Sequence, residues 1–164
     1  MAWKRGSAVS VAVLVGLLRV TAPAPAMAEP APGGESTTVE LTVVGGPALN
    51  PNTEGRASPV IVRIFDLAAT HAFDGADYAA LFEQPGDELK RDIAAQEEFV
   101  LRPGDIQQHD RNLQPQIQAL GVAAAFRDLD HSLWRLTIPV KPGRRNFLLI
   151  HLDHDTIRVE TVSP

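Results

Sequence analysis

Val60 to Leu67 reads VIVRIFDL, and this stretch restricts the fold more than any other. β-Branched and aromatic residues dominate it, which marks a strand. Its apolar character is nearly continuous, so both faces need cover over much of its length. Thr38 to Val43 (TVELTV) instead alternates polar and apolar, the pattern of a half-buried strand. Gly45-Gly46-Pro47 ends that strand, and a polar stretch from Asn50 to Ser58 separates the two.

The period then changes. Asp74 is placed to cap a short helix, with Asp77 in its first turn. Phe73, Ala76, Ala80 and Leu81 fall near one face, and Leu81-Phe82 would seat the helix on a sheet. Pro85-Gly86 breaks it. Asp87 opens a second helix, with Leu89 and Ile93 four apart. A helical insertion over about 71–96 is the expectation.

Strands return from Phe99. Arg102 to Asp105 is a turn, and Ile106 to Leu113 is polar enough for an edge strand. Leu120 to Phe126 is a buried strand of small residues. Trp134, Leu136 and Ile138 alternate with Arg135 and Thr137. After the Lys141-Pro142-Gly143 turn, Phe147 to Leu152 pairs with Thr156 to Val162 across Asp153-His154-Asp155. Seven or eight short strands with turns between them predict a mainly β fold, a two-sheet β-sandwich with a small helical insertion.

The start of the chain has a different character. Lys4 and Arg5 precede an apolar run from Val9 to Leu18. About ten residues are too few to cross a hydrocarbon core that needs roughly 20. The run fits a secretory leader, and Ala26-Met27-Ala28 has the small-x-small form of a cleavage site. Residues 1–28 are thus expected to be a signal peptide and 29–36 a flexible lead-in. Residues 37–164 would be the β-sandwich domain. The alternative is an uncut leader acting as an inner-membrane tether, which Arg19, Pro23 and Pro25 argue against.

Cleavage leaves 136 residues, enough for one core. Fifteen basic residues, less the three in the leader, stand against 20 acidic ones, a net of −8. That balance argues against nucleic acid and anionic membrane surfaces as partners. There is no cysteine. No disulfide can form, and no lipid can be attached to these residues through a thioether.

Catalytic features are absent by type. No Cys nucleophile exists, and no serine lies in a G-x-S-x-G elbow. Gly45-Gly46 lacks the lysine and spacing of a phosphate cradle. His131-Ser132 are neighbours in sequence only, and Asp66, Asp74 and Asp77 are explained by capping and solvated faces. Glu97-Glu98 is assigned to the surface. The best metal candidate is His151, Asp153 and His154, set against the plainer reading of a polar hairpin tip. No enzyme activity, cofactor or bound metal is assigned. A periplasmic β-sandwich binding a small ligand or metal is the alternative reading.

The stretch Asn50, Pro51, Asn52, Thr53, Glu54, Gly55, Arg56, Ala57 and Ser58 is longer than a hairpin needs, since such loops usually take about 2–5 residues. Long loops on rigid scaffolds often carry binding sites. On its physics alone it is equally a plain solvated loop.

Here the residues become specific. Leu49-Asn50-Pro51-Asn52, Gly55-Arg56 and Ser58-Pro59-Val60-Ile61-Val62-Arg63-Ile64-Phe65-Asp66-Leu67 resemble the TssJ (SciN) family, outer-membrane lipoproteins of type VI secretion systems. Phe73, Ala76-Asp77-Tyr78 and Leu81 continue the resemblance. So do Leu101-Arg102-Pro103-Gly104, the run Gly121 to Asp128 (GVAAAFRD), and Trp134-Arg135. It covers about residues 37–160.

The resemblance implies a transthyretin-like sandwich in the periplasm of a Gram-negative bacterium, associated with the outer membrane. It implies a non-catalytic role, in which the loop between the first two strands binds the periplasmic C-terminal region of the inner-membrane protein TssM. By position that loop is Asn50 to Ser58, with Asn52, Glu54 and Arg56 as its foremost contacts. The family's lipidated cysteine after the leader has no counterpart here.

Overall fold

A computed structural model describes residues 36–162. The expected leader and most of the lead-in lie outside them. The described residues form two sheets packed face to face, with a helical layer on the outside of one.

The first sheet is built around β1 (Thr37–Gly45). β4 (Ile106–Gln108) and β5 (Arg111–Leu113) both pair antiparallel with one edge of β1, and β8 (Arg145–Asp153) runs parallel along the other. β9 (Thr156–Val162) completes the sheet as the hairpin partner of β8. The second sheet has the order β3 (Ile93–Leu101), β2 (Val60–Leu67), β6 (Ala119–Ala124), β7 (Arg135–Pro139), antiparallel throughout.

Period-2 alternation fixes which face each strand buries. Val39, Leu41 and Val43 of β1 and Leu148, Ile150 and Leu152 of β8 point inward. They meet Val60, Val62 and Ile64 of β2 and Leu120, Val122 and Ala124 of β6. Phe65 and Leu67 of β2 point the other way, into a second buried cluster beneath the helices. The continuous apolar character of β2 has this cause: one strand serves two cores.

The helical layer consists of α1 (His71–Gly75), α2 (Tyr78–Phe82) and α3 (Asp87–Asp92). Phe73 is fully buried, its ring 5.4 Å from that of Phe65. Burial of a side chain of this size contributes roughly 1.5–3 kcal/mol. Two arginines of the sheet hold the layer down. Arg63 donates to the carbonyl of Leu81 at 2.6 Å and lies over the Phe82 ring. Arg135 donates to the carbonyls of Phe73 and Ala76 and lies over Trp134. Helices this short leave most of their terminal carbonyls unpaired, and the guanidiniums satisfy them.

Several elements differ from expectation. Asp77, not Asp74, is the N-cap, accepting from the Ala80 N–H at 2.8 Å. Asp74 sits inside α1 and accepts from the Thr137 hydroxyl at 2.6 Å. The stretch therefore forms two helices, parted at Ala76, whose backbone is extended. Leu89 and Ile93 do not share a helix. Ile93 opens β3 because the end of β2 needs a partner, and Ile93 pairs with Leu67.

The edge strand expected over Ile106 to Leu113 is split in two at His109 and Asp110. The His109 ring stacks on Phe99 and pairs with Glu97 at 2.8 Å, both on the opposite sheet. Glu97 is thus no idle surface residue. It also meets Arg111 at 2.7 Å, and Arg111 reaches Asp66 at 2.7 Å. This chain of charges ties the edges of the two sheets together. Burial holds the Asp66 carboxyl above its ordinary range, against the opposing pull of the Arg111 guanidinium.

Candidate functional site

Leu49 is fully buried and pins the start of the β1–β2 loop. The Ser58 N–H donates to the Leu49 carbonyl at 2.9 Å and closes the loop at its base. Nearer the tip, Asn52 and Arg56 repeat the closure: the Asn52 N–H meets the Arg56 carbonyl at 2.9 Å. The Asn52 side-chain oxygen accepts from the N–H groups of both Glu54 and Arg56. Asn is suited to this because its short side chain can bond to backbone two residues on. Gly55 turns the apex at a φ of 76°, a conformation that favours glycine.

The nine residues are therefore a closed structure rather than a floppy connector. Thr53, Glu54, Gly55 and Arg56 form an exposed apex. Pro51, Asn52 and Ala57 are half-buried, and Ser58 is buried at the base.

Asn50 does more than its position in a loop suggested. It is buried and has a left-handed φ of 46°. Its side-chain amide donates to the Pro59 carbonyl at 2.8 Å, and its side-chain oxygen accepts from the Arg127 N–H at 2.9 Å. Its own N–H donates to the His154 carbonyl at 2.6 Å. One residue thus ties three separate loops together: the β1–β2 loop, the segment after β6, and the β8–β9 turn.

A cleft of about 750 Å³ lies between these loops. Pro51 to Thr53 and Gly55 form one wall, Phe126 to Asp128 another, and His154 and Asp155 a third. Phe126 is buried at its base. Phe126 was expected at the end of a strand, but β6 stops at Ala124. Asp128 and His131 pair on the exposed rim at 2.9 Å. That bond holds the Asp128 carboxyl below its ordinary range and the His131 imidazole above its own.

The residues considered for metal binding do not converge. His151 is half-buried in mid-strand opposite Arg158. The Asp153 carboxylate accepts from the Ala48 N–H at 3.1 Å. His154 is exposed at the turn, with a φ of 54°, and pairs with Asp155. Among the described residues, no three histidine or carboxylate side chains are grouped to hold an ion. The hairpin tip is structural: Asp153 and His154 fasten the turn to the β1–β2 loop.

The walls contributed by Phe126 to Asp128 and by Asp155 were not among the residues expected to bind a partner. A bond spanning 77 positions leaves no local pattern. The one available signal was an Asn in a turn, a residue enriched at positive φ.

The fold has parallels among known proteins. The type VI secretion lipoprotein family model (VasD, EvfM, TssJ) matches residues 37–155. The crystal structure of the type VI secretion lipoprotein TssJ1 from Pseudomonas aeruginosa is 36% identical, with a TM-score of 0.76 over 79% of this chain and 98% of that one. A chain of a type VI membrane complex is 31% identical, with a TM-score of 0.67 over 75% of this chain and 97% of that one. A chain in a structure of the TssM C-terminal domain from EAEC is 29% identical, with a TM-score of 0.62 over 74% of this chain and 99% of that one. No curated protein matches in sequence. With the family match covering well over half its length, the chain belongs to the type VI secretion lipoprotein family, whose place is the Gram-negative cell envelope.

Proposed function

We propose that this protein is a structural component of the type VI secretion envelope-spanning complex, docking the periplasmic C-terminal region of TssM through Asn50 to Ser58. The observation that carries this reading is the state of the loop. It is held rigid by its own backbone bonds and by Asn52, yet presents Thr53 to Arg56 to solvent. Such a surface loses little entropy on binding, because it is already ordered. Glu54 and Arg56 offer charged groups for strong hydrogen bonds at the apex. Two structurally similar chains belong to structures described as a type VI membrane complex and as the TssM C-terminal domain.

The loop lies at the end of the sandwich opposite Thr37, where β1 begins. We place the mature start at Glu29, with 29–36 as a lead-in and 37–164 as the docking domain. An amino-terminal tether would then leave the loop facing away from its membrane. An intact mass from periplasmic extract tests the cleavage site.

The docking test is binding of the protein to the C-terminal region of its cognate TssM, beside a variant with residues 52–57 replaced by Gly-Ser. Loss of binding and of secretion in the variant is the expected result. Unchanged binding and secretion would overturn the reading.

A further inference from the structure

We propose that the docking surface is composite: a cationic side chain of the docked partner protein enters the cleft between Asn50–Gly55, Phe126–Asp128 and His154–Asp155. This deepens the docking role given above to the β1–β2 loop and rests on it.

Three observations lead there. The cleft is built rather than incidental, because buried Asn50 bonds to all of its walls at 2.6–2.9 Å. Its volume of about 750 Å³ accommodates a long side chain, and Phe126 at its base supplies an apolar surface. Lysine and arginine combine an apolar stem with a charged head, so they suit such a lining.

The third observation is charge. Asp128 and Asp155 line the cleft together with Arg127 and His154, Glu54 is exposed on the adjoining loop, and Asp130 and Asp153 lie two residues from them in sequence, while His131 pairs with Asp128. Asp128 and Asp155 line the cleft on separate walls. Asp128 shares its carboxylate with His131, and Asp155 accepts from its neighbour Thr156 and pairs with His154 at 3.3 Å; a carboxylate has about four lone-pair sites, so both keep acceptor capacity. An apolar occupant would strip water from these carboxylates without replacing it. An anionic one would meet like charge. A guanidinium matches two carboxylate walls best, being planar and rich in donors.

The opposite end of the sandwich carries Lys141, Arg144 and Arg145, beside Thr38, the neighbour of Arg145 in the sheet. The molecule is therefore polarised along its strands. Such a field orients a basic partner toward the acidic end during approach.

The experiment measures binding kinetics of the full chain with the TssM C-terminal region over a salt series from about 50 to 500 mM. The variants are the Gly-Ser loop replacement, the double substitution Asp128→Asn with Asp155→Asn, and Thr53→Lys. The Asp128 side chain is mostly exposed and its replacement by Asn nearly isosteric, and thermal melts verify folding.

We expect the double variant to associate about tenfold more slowly at low salt, with a flatter salt dependence. Thr53→Lys, which sets a positive charge in the cleft wall, should weaken binding in the same direction. Loop replacement that abolishes binding, together with a double variant and a Thr53→Lys variant that both bind as the wild type does at every salt concentration, would overturn the composite site and leave the docking role standing. Binding that survives loop replacement would overturn the docking role itself.

Discussion

The backbone N–H of Arg127 donates to the side-chain oxygen of Asn50 at 2.9 Å, across 77 positions of sequence. The same Asn50 holds a φ of 46° and is buried. Replacement by Ala loses both side-chain bonds, leaves buried groups unpaired, and puts a residue with a Cβ penalty in the left-handed region. We expect Asn50→Ala to cost about 2–4 kcal/mol, and Asn50→Gly less, because glycine keeps the backbone angle. Urea unfolding of the two variants checks the ranking; equal losses would refute the backbone component.

Arg111 is the hinge of the charge chain between the sheets, with only 10% of its side chain exposed. Removing it strands Asp66 in a buried site. Arg111→Met should destabilise by on the order of 3–5 kcal/mol, and adding Asp66→Leu should recover part of that loss. A double variant no better than the single one would show that the pair's charges are not the cause.

Asp66 also makes a pH prediction. Its carboxyl is raised in the fold, chiefly by burial. A raised folded value means the fold favours the protonated form. That contribution is complete below the unfolded value near 3.8 and is lost as pH rises through the folded value. The stability of the wild type relative to Asp66→Asn should therefore decline as pH rises above about 4. Denaturant midpoints at a series of pH values test it, and a rising difference would contradict it.

Gly121 lies under the Phe73 ring. A Cβ built there would come within 2.6 Å of the ring. Gly121→Ala should cost about 1–3 kcal/mol through overpacking, with Phe73→Leu as a partial rescue. Near-neutral stability in Gly121→Ala would show that the helical layer can slide on the sheet.

His131 should titrate above the ordinary 6.5, because Asp128 holds its proton. In Asp128→Asn the midpoint should move down toward that value. Proton-detected NMR of the imidazole reads it directly; an unmoved midpoint would remove the pairing.

How much of this was open to sequence reading depends on where each signal sits. β1 and β2 were legible because alternation and β-branching are local properties. The double-faced apolar character of β2 also announced a covering layer, although not that three helices would form it. Asp74 was the expected cap by spacing, with Asp77 in the first turn, but Asp77 caps α2 and Asp74 bonds to Thr137, far along the chain. The start of β3 was hidden for the same reason: Ile93 leaves its helix to pair with Leu67. The β1–β2 loop stood out by length and turn chemistry. The cleft it borders did not, since its other walls are brought in by bonds that cross the fold.

The parallel pairing of β1 with β8 has a mechanical consequence. Thr37 and Gly45 terminate opposite ends of one strand, and the β1–β2 loop follows it. When the chain is held at its amino terminus and at Asn50 to Ser58, tension runs lengthwise through β1. Its ladders to β8, β4 and β5 lie across that direction. They are loaded in shear and must give way together, whereas bonds peeled from one end fail singly. A load applied between those two points would therefore meet the sandwich along its more resistant direction.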